Sequence, residues 1–437
     1  MPPSEKDQVN VIYEFILSHK LLTAIAAVCL TVLACALTSH ARLWWRAIAN
    51  QYAPAMATAF FVVAPFSDQR VAGADMVSGF VFEFWILLLY CSLFVRMYQN
   101  TALIESVDTT RLLRISIVLQ LLASWPIVTS QGFGLFSEGS RIEYLSDSSS
   151  AKYFTYFVVL VSTLQAPLIA NRLTKSGRLG MSGAVAIGLT FTLSLLAGSK
   201  GGVFLWFLSI ASLVDYRRAP ISRFSVVFVA IAGCALVVGS SIVIADFLGV
   251  RLEEFFDIVL SRFFLNNDAR ALAFDQRPVA PLTTSLIVES FRSLATIFGA
   301  QPHDSPLGIL LYDELFGFET GNGANASLMA LIVYYSPPGY AALPAIVASC
   351  GAGVLFTFFR IVLRTLRRSA TKAILLAFAI IALQQYSQDF LAFQVVMPLV
   401  VVAIAAIWLY DQQYFRRARP SRDYQHASAS DRRHSRA

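Results

Sequence analysis

The chain has 437 residues, of which 57% are hydrophobic and only 14% charged, with a mean hydropathy of +0.62 and a formal net charge of +7. A soluble domain carries roughly a quarter charged residues, and no single core in water hides this much apolar surface, so a soluble globular class is excluded. The positive excess sits in short loops and in a tail bearing Arg416, Arg417, Arg419, Arg422, Arg432, Arg433 and Arg436, which is a membrane-topology pattern and not a nucleic-acid surface.

In chain order, apolar runs long enough to span a bilayer fall at 21–38, 77–95, 112–130, 153–170, 181–197, 224–245, 341–360 and 391–410, with shorter ones at 53–66, 203–214 and 373–388. A spanning helix needs about 20 such residues. The expectation is an all-α, polytopic bundle of about 11 spans (10–12) with one large water-facing loop. Glu5, Asp7 and Glu14 among the first twenty residues, and no small-residue cleavage site after the apolar stretch, argue against a removable signal peptide. The basic segments 171–180, 215–223 and 360–372 and the tail can all be cytoplasmic at once. The expected organisation is a membrane bundle over 1–245, an extracytoplasmic loop over 246–340, further spans over 341–410 and a basic cytoplasmic tail over 411–437. All five cysteines lie in apolar runs, so neither a disulfide framework nor a metal site is readable.

The large loop differs from the basic loops: residues 246–325 hold eleven acids and five arginines. It opens with an amphipathic stretch over 249–266, suited to lying along the membrane interface. It closes with an apolar stretch, Ala326 to Tyr335, too short to span and ended by Ser336-Pro337-Pro338-Gly339, which reads as a half-helix.

Four places concentrate polar chemistry. Gly198-Ser199-Lys200-Gly201-Gly202 reads either as an anion nest beside one lysine or as a flexible turn. Asn267-Asp268-Ala269-Arg270, followed by Asp275 and Arg277, offers guanidinium forks for phosphate, or arginines that simply pair with Asp268 or Asp275. Gly321-Asn322-Gly323-Ala324-Asn325 leads into the half-helix, as an anion-binding helix start or an ordinary cap. His303, the only histidine of the loop, is a base or a solvated side chain. The first outer segment carries Asp68, Arg70 and Asp75, and Glu83 is the chief charge inside a span. There is no Walker A motif, no internal repeat and no metal-ligand spacing.

This pattern resembles the Wzy-type polysaccharide (O-antigen or exopolysaccharide) polymerases. The likeness rests on Gly198–Gly202 standing where that family has Ser-Arg-Gly-Gly, on Thr320–Leu328 leading into a re-entry at Pro337–Tyr340, and on the Asp268–Arg270 region. It covers the whole chain in topology and about forty residues in motif. Two departures stand out: Lys200 replaces the usual arginine, and Ala324 stands where the related O-antigen ligases carry a histidine. The resemblance implies a GT-C-like helical fold in the bacterial inner membrane and a metal-independent glycosyltransferase without cofactor. Its substrate would be an undecaprenyl-pyrophosphate-linked oligosaccharide, and its partners membrane lipid, a chain-length regulator and a flippase. By the same resemblance Arg270 and Lys200 act on the pyrophosphate with His303 as a catalytic candidate, and Ser199, Arg277, Asn322, Asn325 and Asp268 bind substrate. A flippase or transporter and an O-antigen ligase-type transferase are the competing expectations.

Overall fold

The computed structural model describes residues 11–67, 73–131, 149–196, 200–220, 268–277, 283–292, 307–316 and 327–418. These are helices joined by short turns, with 3₁₀ turns at Ala41–Leu43 and Ala64–Phe66 and no strand among the described residues. In chain order the helices are α1 (Val11–Ser18), α2 (Lys20–Leu37), α3 (Trp44–Val63), α4 (Gly73–Ala102), α5 (Ser106–Gln131), α6 (Ser149–Ser176), α7 (Gly180–Leu196) and α8 (Lys200–Leu213). Four short ones follow, α9 (Asp268–Asp275), α10 (Thr283–Ser290), α11 (Leu307–Phe316) and α12 (Leu328–Tyr335), and then α13 (Ala342–Thr365), α14 (Ser369–Gln388) and α15 (Phe390–Ala418).

Among the described residues, seven stretches are helical, long and apolar enough to cross a membrane: Lys20–Leu37, Ala41–Phe66, Gly73–Ala102, Phe157–Ser176, Ala342–Thr365, Ser369–Gln388 and Phe390–Gln413. The protein is therefore a helical bundle of membrane type. The expected span 224–245 and the amphipathic stretch 249–266 lie outside the described residues.

Helix α14 is apolar on nearly every side and is buried accordingly, packed on α4, α13, α15 and α6. Helix α13 is the opposite case, with Leu343, Ile346, Val347, Val354 and Ile361 all turned outward. The 53–66 stretch belongs to a longer helical run that starts at Ala41. Arg46, Asn50 and Gln51 depress its hydropathy, but each makes a contact with a neighbour: Arg46 donates to the carbonyls of Ser212 and Val214, and Asn50 Oδ1 accepts from Ser209. Gln51 Oε1 lies 3.2 Å from Cys91 Sγ. Pro54 removes an amide from this helix, and Gln51 takes a non-helical φ of −129°, so the helix kinks there.

A layer of uncharged groups joins α5, α6 and α7. Gln120 donates to Ser162 and Thr190 at 2.8 and 2.9 Å, and Gln165 donates to Gln120 and Ser116 at 2.8 and 3.0 Å. Side-chain amides bridging helices in this way hold bundles together where apolar packing alone gives no direction.

Contacts gather the basic connections at one end. Asn171 donates to the carbonyls of Thr101 and Ile104, Arg368 pairs with Asp108, and Asp411 accepts from the amides of Arg367 and Arg368 and from the Thr371 hydroxyl. Here the bundle's basic end is formed by the starts of α3, α5 and α14 and the ends of α4, α6, α8, α13 and α15. The short helices α9 to α12 occupy the other, or loop, end.

Candidate functional site

The loop end is built around two acids of α4. Asp75 sits near its first residue and Glu83 eight positions further on, about 12 Å deeper along the axis. Both carboxylates are fully buried. Gly79 lies between them on a tight crossing: a Cβ there would come within 2.2 Å of the Phe61 ring of α3. This close approach lets α3 and α4 sit side by side where they receive the loop.

The loop answers with two arginines, Arg270 and Arg277, seven positions apart. Arg270, on α9, donates through Nη2 and Nε to Glu83 Oε1 at 2.6 and 3.2 Å and through Nη2 to Gln388 Oε1 at the end of α14 at 3.2 Å. Its side chain is 1% exposed. Arg277, just past α9, donates through Nη1 to Asp75 Oδ2 at 2.6 Å and through Nε and Nη2 to the carbonyls of Ser336 and Pro337, both at 2.8 Å. The arginine spacing, about 10 Å on a helix, matches the spacing of the acids, and the order is reversed. Helix α9 therefore enters the bundle end antiparallel to the start of α4.

Asp75 has a second task. It accepts from the amides of Gly339 and Ala341 at 2.9 and 3.1 Å, so one carboxylate holds both the loop arginine and the turn that ends the half-helix. That turn closes with Tyr340 N donating to Pro337 O, and Gly339 takes a φ of +84°, a conformation for which glycine is suited. Helix α12 starts at Leu328, two residues after the expected Ala326, and its cap is Ser327 in place of the expected asparagine: the Ser327 hydroxyl accepts from Ala330 N at 3.1 Å, and the helix stops before Ser336 as expected. Its residues Leu328 to Tyr334 are buried, packed on α9, α10, α13 and α14.

Three further contacts seat the loop. Phe274 lies against the rings of Phe60 and Phe61 on α3. Asp268 accepts from the Tyr312 hydroxyl of α11 at 2.7 Å. Asp275 accepts from the amides of Ile12 and Tyr13 at the start of α1, at 3.1 and 3.0 Å, so the N-terminal helix is tied to the loop. Burial pushes the Asp275 carboxyl up to about 6, against the opposing pull of those two amides. On α11, burial raises the Glu314 carboxyl above its usual range, and a hydrogen bond with Tyr334 opposes the rise.

Of the residues singled out in the sequence, Arg270, Arg277 and Asp268 are thus brought together. Among the described ion pairs Arg270 is joined to Glu83 and Arg277 to Asp75, not to the nearby Asp268 or Asp275. Lys200 is the first residue of α8, so Gly201 and Gly202 belong to the first turn of a helix and not to the connection before it. Ser199, His303, Asn322 and Asn325 lie outside the described residues. The carboxylates of Asp75 and Glu83 were not among the candidates, though their spacing on one helix mirrors that of the arginines. Among the described residues, no three of His, Cys, Asp and Glu come together as a metal site.

In electrostatic terms the site is two buried ion pairs, one at the rim and one deep. Glu83 Oε2 accepts no hydrogen bond among the described residues, so the deep pair engages the carboxylate through a single oxygen. Comparison with family models, with curated proteins and with solved structures gave no match of any of the three kinds.

Proposed function

We propose that the chain is a membrane glycan polymerase, joining oligosaccharide repeat units carried on a polyprenyl pyrophosphate at the outer face of the inner membrane. The observation that carries this reading is the seating of Asp268–Arg277, which plants two guanidiniums in the loop end of a membrane bundle against the carboxylates of α4. Transfer of a glycan off a lipid pyrophosphate needs cations at the leaving group and a base at the acceptor hydroxyl, both shielded from bulk water. With the basic end on the cytoplasmic side, that arrangement faces outward.

In this reading Arg270 and Lys200 act on the pyrophosphate, while Arg277 and Asp75 fix the half-helix. Arg270 is neutralised by Glu83 until the pyrophosphate displaces the carboxylate. The acceptor hydroxyl oxygen then bonds to the anomeric carbon as the bond from that carbon to the phosphate oxygen breaks. The electron pair leaves on the pyrophosphate, and the hydroxyl proton passes to Glu83. Ser199, Asn322, Asn325, Asp268 and His303 remain candidates for holding the sugars.

The test is polymer length on gels from a host whose own copy is deleted. Arg270→Ala and Lys200→Ala should abolish polymer while single repeat units still reach the outer face, with the folded yield of each variant checked by size-exclusion chromatography. Normal-length polymer from both well-folded variants would refute the site. A second reading, a transporter of the same lipid-linked unit, is favoured by one observation: Arg270 and Glu83 are charges buried together inside the bundle, as transport pathways often require. Deletion that traps the units on the cytoplasmic side would decide for it.

A further inference from the structure

Most of the basic-end arginines with described contacts are satisfied within the chain. Arg46 uses two carbonyls and the rings of Trp45, Tyr98 and Tyr216; Arg368 uses Asp108; Arg172 donates to Ser182 at 2.8 Å. Arg96, Arg360 and Arg364 differ. Arg96 projects from the last third of α4, and Arg360 and Arg364 sit one turn apart near the end of α13, the helix packed beside it. The charges of both α13 arginines bear on the Arg96 guanidinium, and among the described residues no acid does so. None of the three makes a hydrogen bond or ion pair through its side chain among the described residues.

Three like charges gathered this way repel one another, and arginines four apart on one helix face add to the repulsion. The C-terminal ends of α4 and α13 offset it only in part. Arg96 is partly buried, whereas Arg360 and Arg364 are exposed. Next to them on α13, Val354, Phe358 and Ile361 are exposed and apolar. Both helices are long and apolar enough to cross a membrane. The cluster thus combines three cations without acidic partners among the described residues with an adjoining apolar surface, near the ends of two helices long enough to cross a membrane.

We propose that Arg96, Arg360 and Arg364 form a binding site for the phosphate headgroup of an anionic phospholipid, whose acyl chains lie along the Val354–Phe358–Ile361 face of α13. Guanidiniums suit this ligand because each presents a planar fork to phosphate oxygens. The site lies at the opposite end from the loop and does not depend on the glycosyl-transfer reading.

The experiment is native mass spectrometry of the full chain released from nanodiscs of phosphatidylglycerol and phosphatidylcholine in equal amounts. Each arginine beside anionic headgroups is worth about a fivefold preference. The wild type should retain phosphatidylglycerol at least tenfold over phosphatidylcholine, and Arg96→Gln/Arg360→Gln/Arg364→Gln should lose that preference. Arg364→Gln alone, for the case that the triple variant does not fold, should lower it about fivefold. Equal retention of both lipids by the wild type, or an unchanged preference in well-folded variants, overturns the site. Displacement of the lipid by millimolar inorganic phosphate would show a free-anion site and also overturn it.

Discussion

Arg270 at the loop end and Arg46 at the basic end are both buried, yet their surroundings differ in kind. Arg270 meets a carboxylate, so its pair carries no net charge and its partner lies on a helix far away in sequence. Arg46 keeps its charge: it is spread over the carbonyls that end α8 and over three aromatic faces. Carbonyl dipoles and ring faces are insensitive to the removal of any one of them. A lone carboxylate is not, because its loss strands a buried cation. The basic end is therefore a distributed lock, and the loop end a paired one.

The largest effect should come from unpairing. Glu83→Gln keeps the shape and removes the charge, and should cost roughly 3–5 kcal/mol, read as a lowered thermal unfolding midpoint in detergent. Replacing both partners, Glu83→Leu with Arg270→Met, should restore most of that loss. A loss below about 1 kcal/mol for the single variant would show that the pair does not anchor the loop. Next, Gly79→Ala drives a methyl into the Phe61 ring between the two acids and should cost about 1–3 kcal/mol, with the protease sensitivity of 268–277 increased. At the other end Arg46→Lys, which keeps the charge and loses the planar stack, should cost only about 1–2 kcal/mol by the same midpoint measurement. If Arg46→Lys proved as damaging as Glu83→Gln, the contrast between a distributed and a paired lock would fail.

The last effect is a pH dependence. Asp275 has a folded value of about 6 against an ordinary 3.8. Between those values the folded chain holds a proton that the unfolded chain releases. The stabilisation from this group is therefore full below about 3.8 and is lost as the pH rises through about 6. Unfolding midpoints measured from pH 4 to 7 should fall in the wild type, and Asp275→Asn should flatten that part of the curve.

Much of the bundle is legible in the sequence because lipid leaves helices few ways to satisfy their backbone. The runs at 77–95 and 391–410 lie within α4 and α15, and 341–360 matches α13 to within one residue at its start. The stop of the half-helix is equally legible, because Pro337-Pro338 act locally, whereas its start falls two residues past the expected Ala326, at a Ser327 cap. Helix α9 was not readable as a buried element: Asp268, Arg270 and Asp275 make it look solvated. Its burial depends on Glu83, Asp75 and the first turn of α1, and such long-range partners leave no local trace. Glu83 alone suggests an isolated charge in a span; only the matching intervals of seven and eight positions hint at a ladder of pairs. Nor does any periodicity mark α1 as part of the loop's support.

The ladder also bears on how the chain enters the membrane. Glu83 is synthesised 187 residues before Arg270, and Asp75 precedes Arg277 by 202. Helix α4 is therefore synthesised well before either arginine that pairs with its acids. An ionised side chain at the centre of an inserting helix is penalised by roughly 2.5–3.5 kcal/mol. The apolar run Trp85–Tyr90 that follows Glu83 offsets this penalty, so α4 is strong enough to insert on its own and wait for its arginines. Docking of α9 can therefore come only after α4 has been synthesised, with its two acids awaiting their arginines.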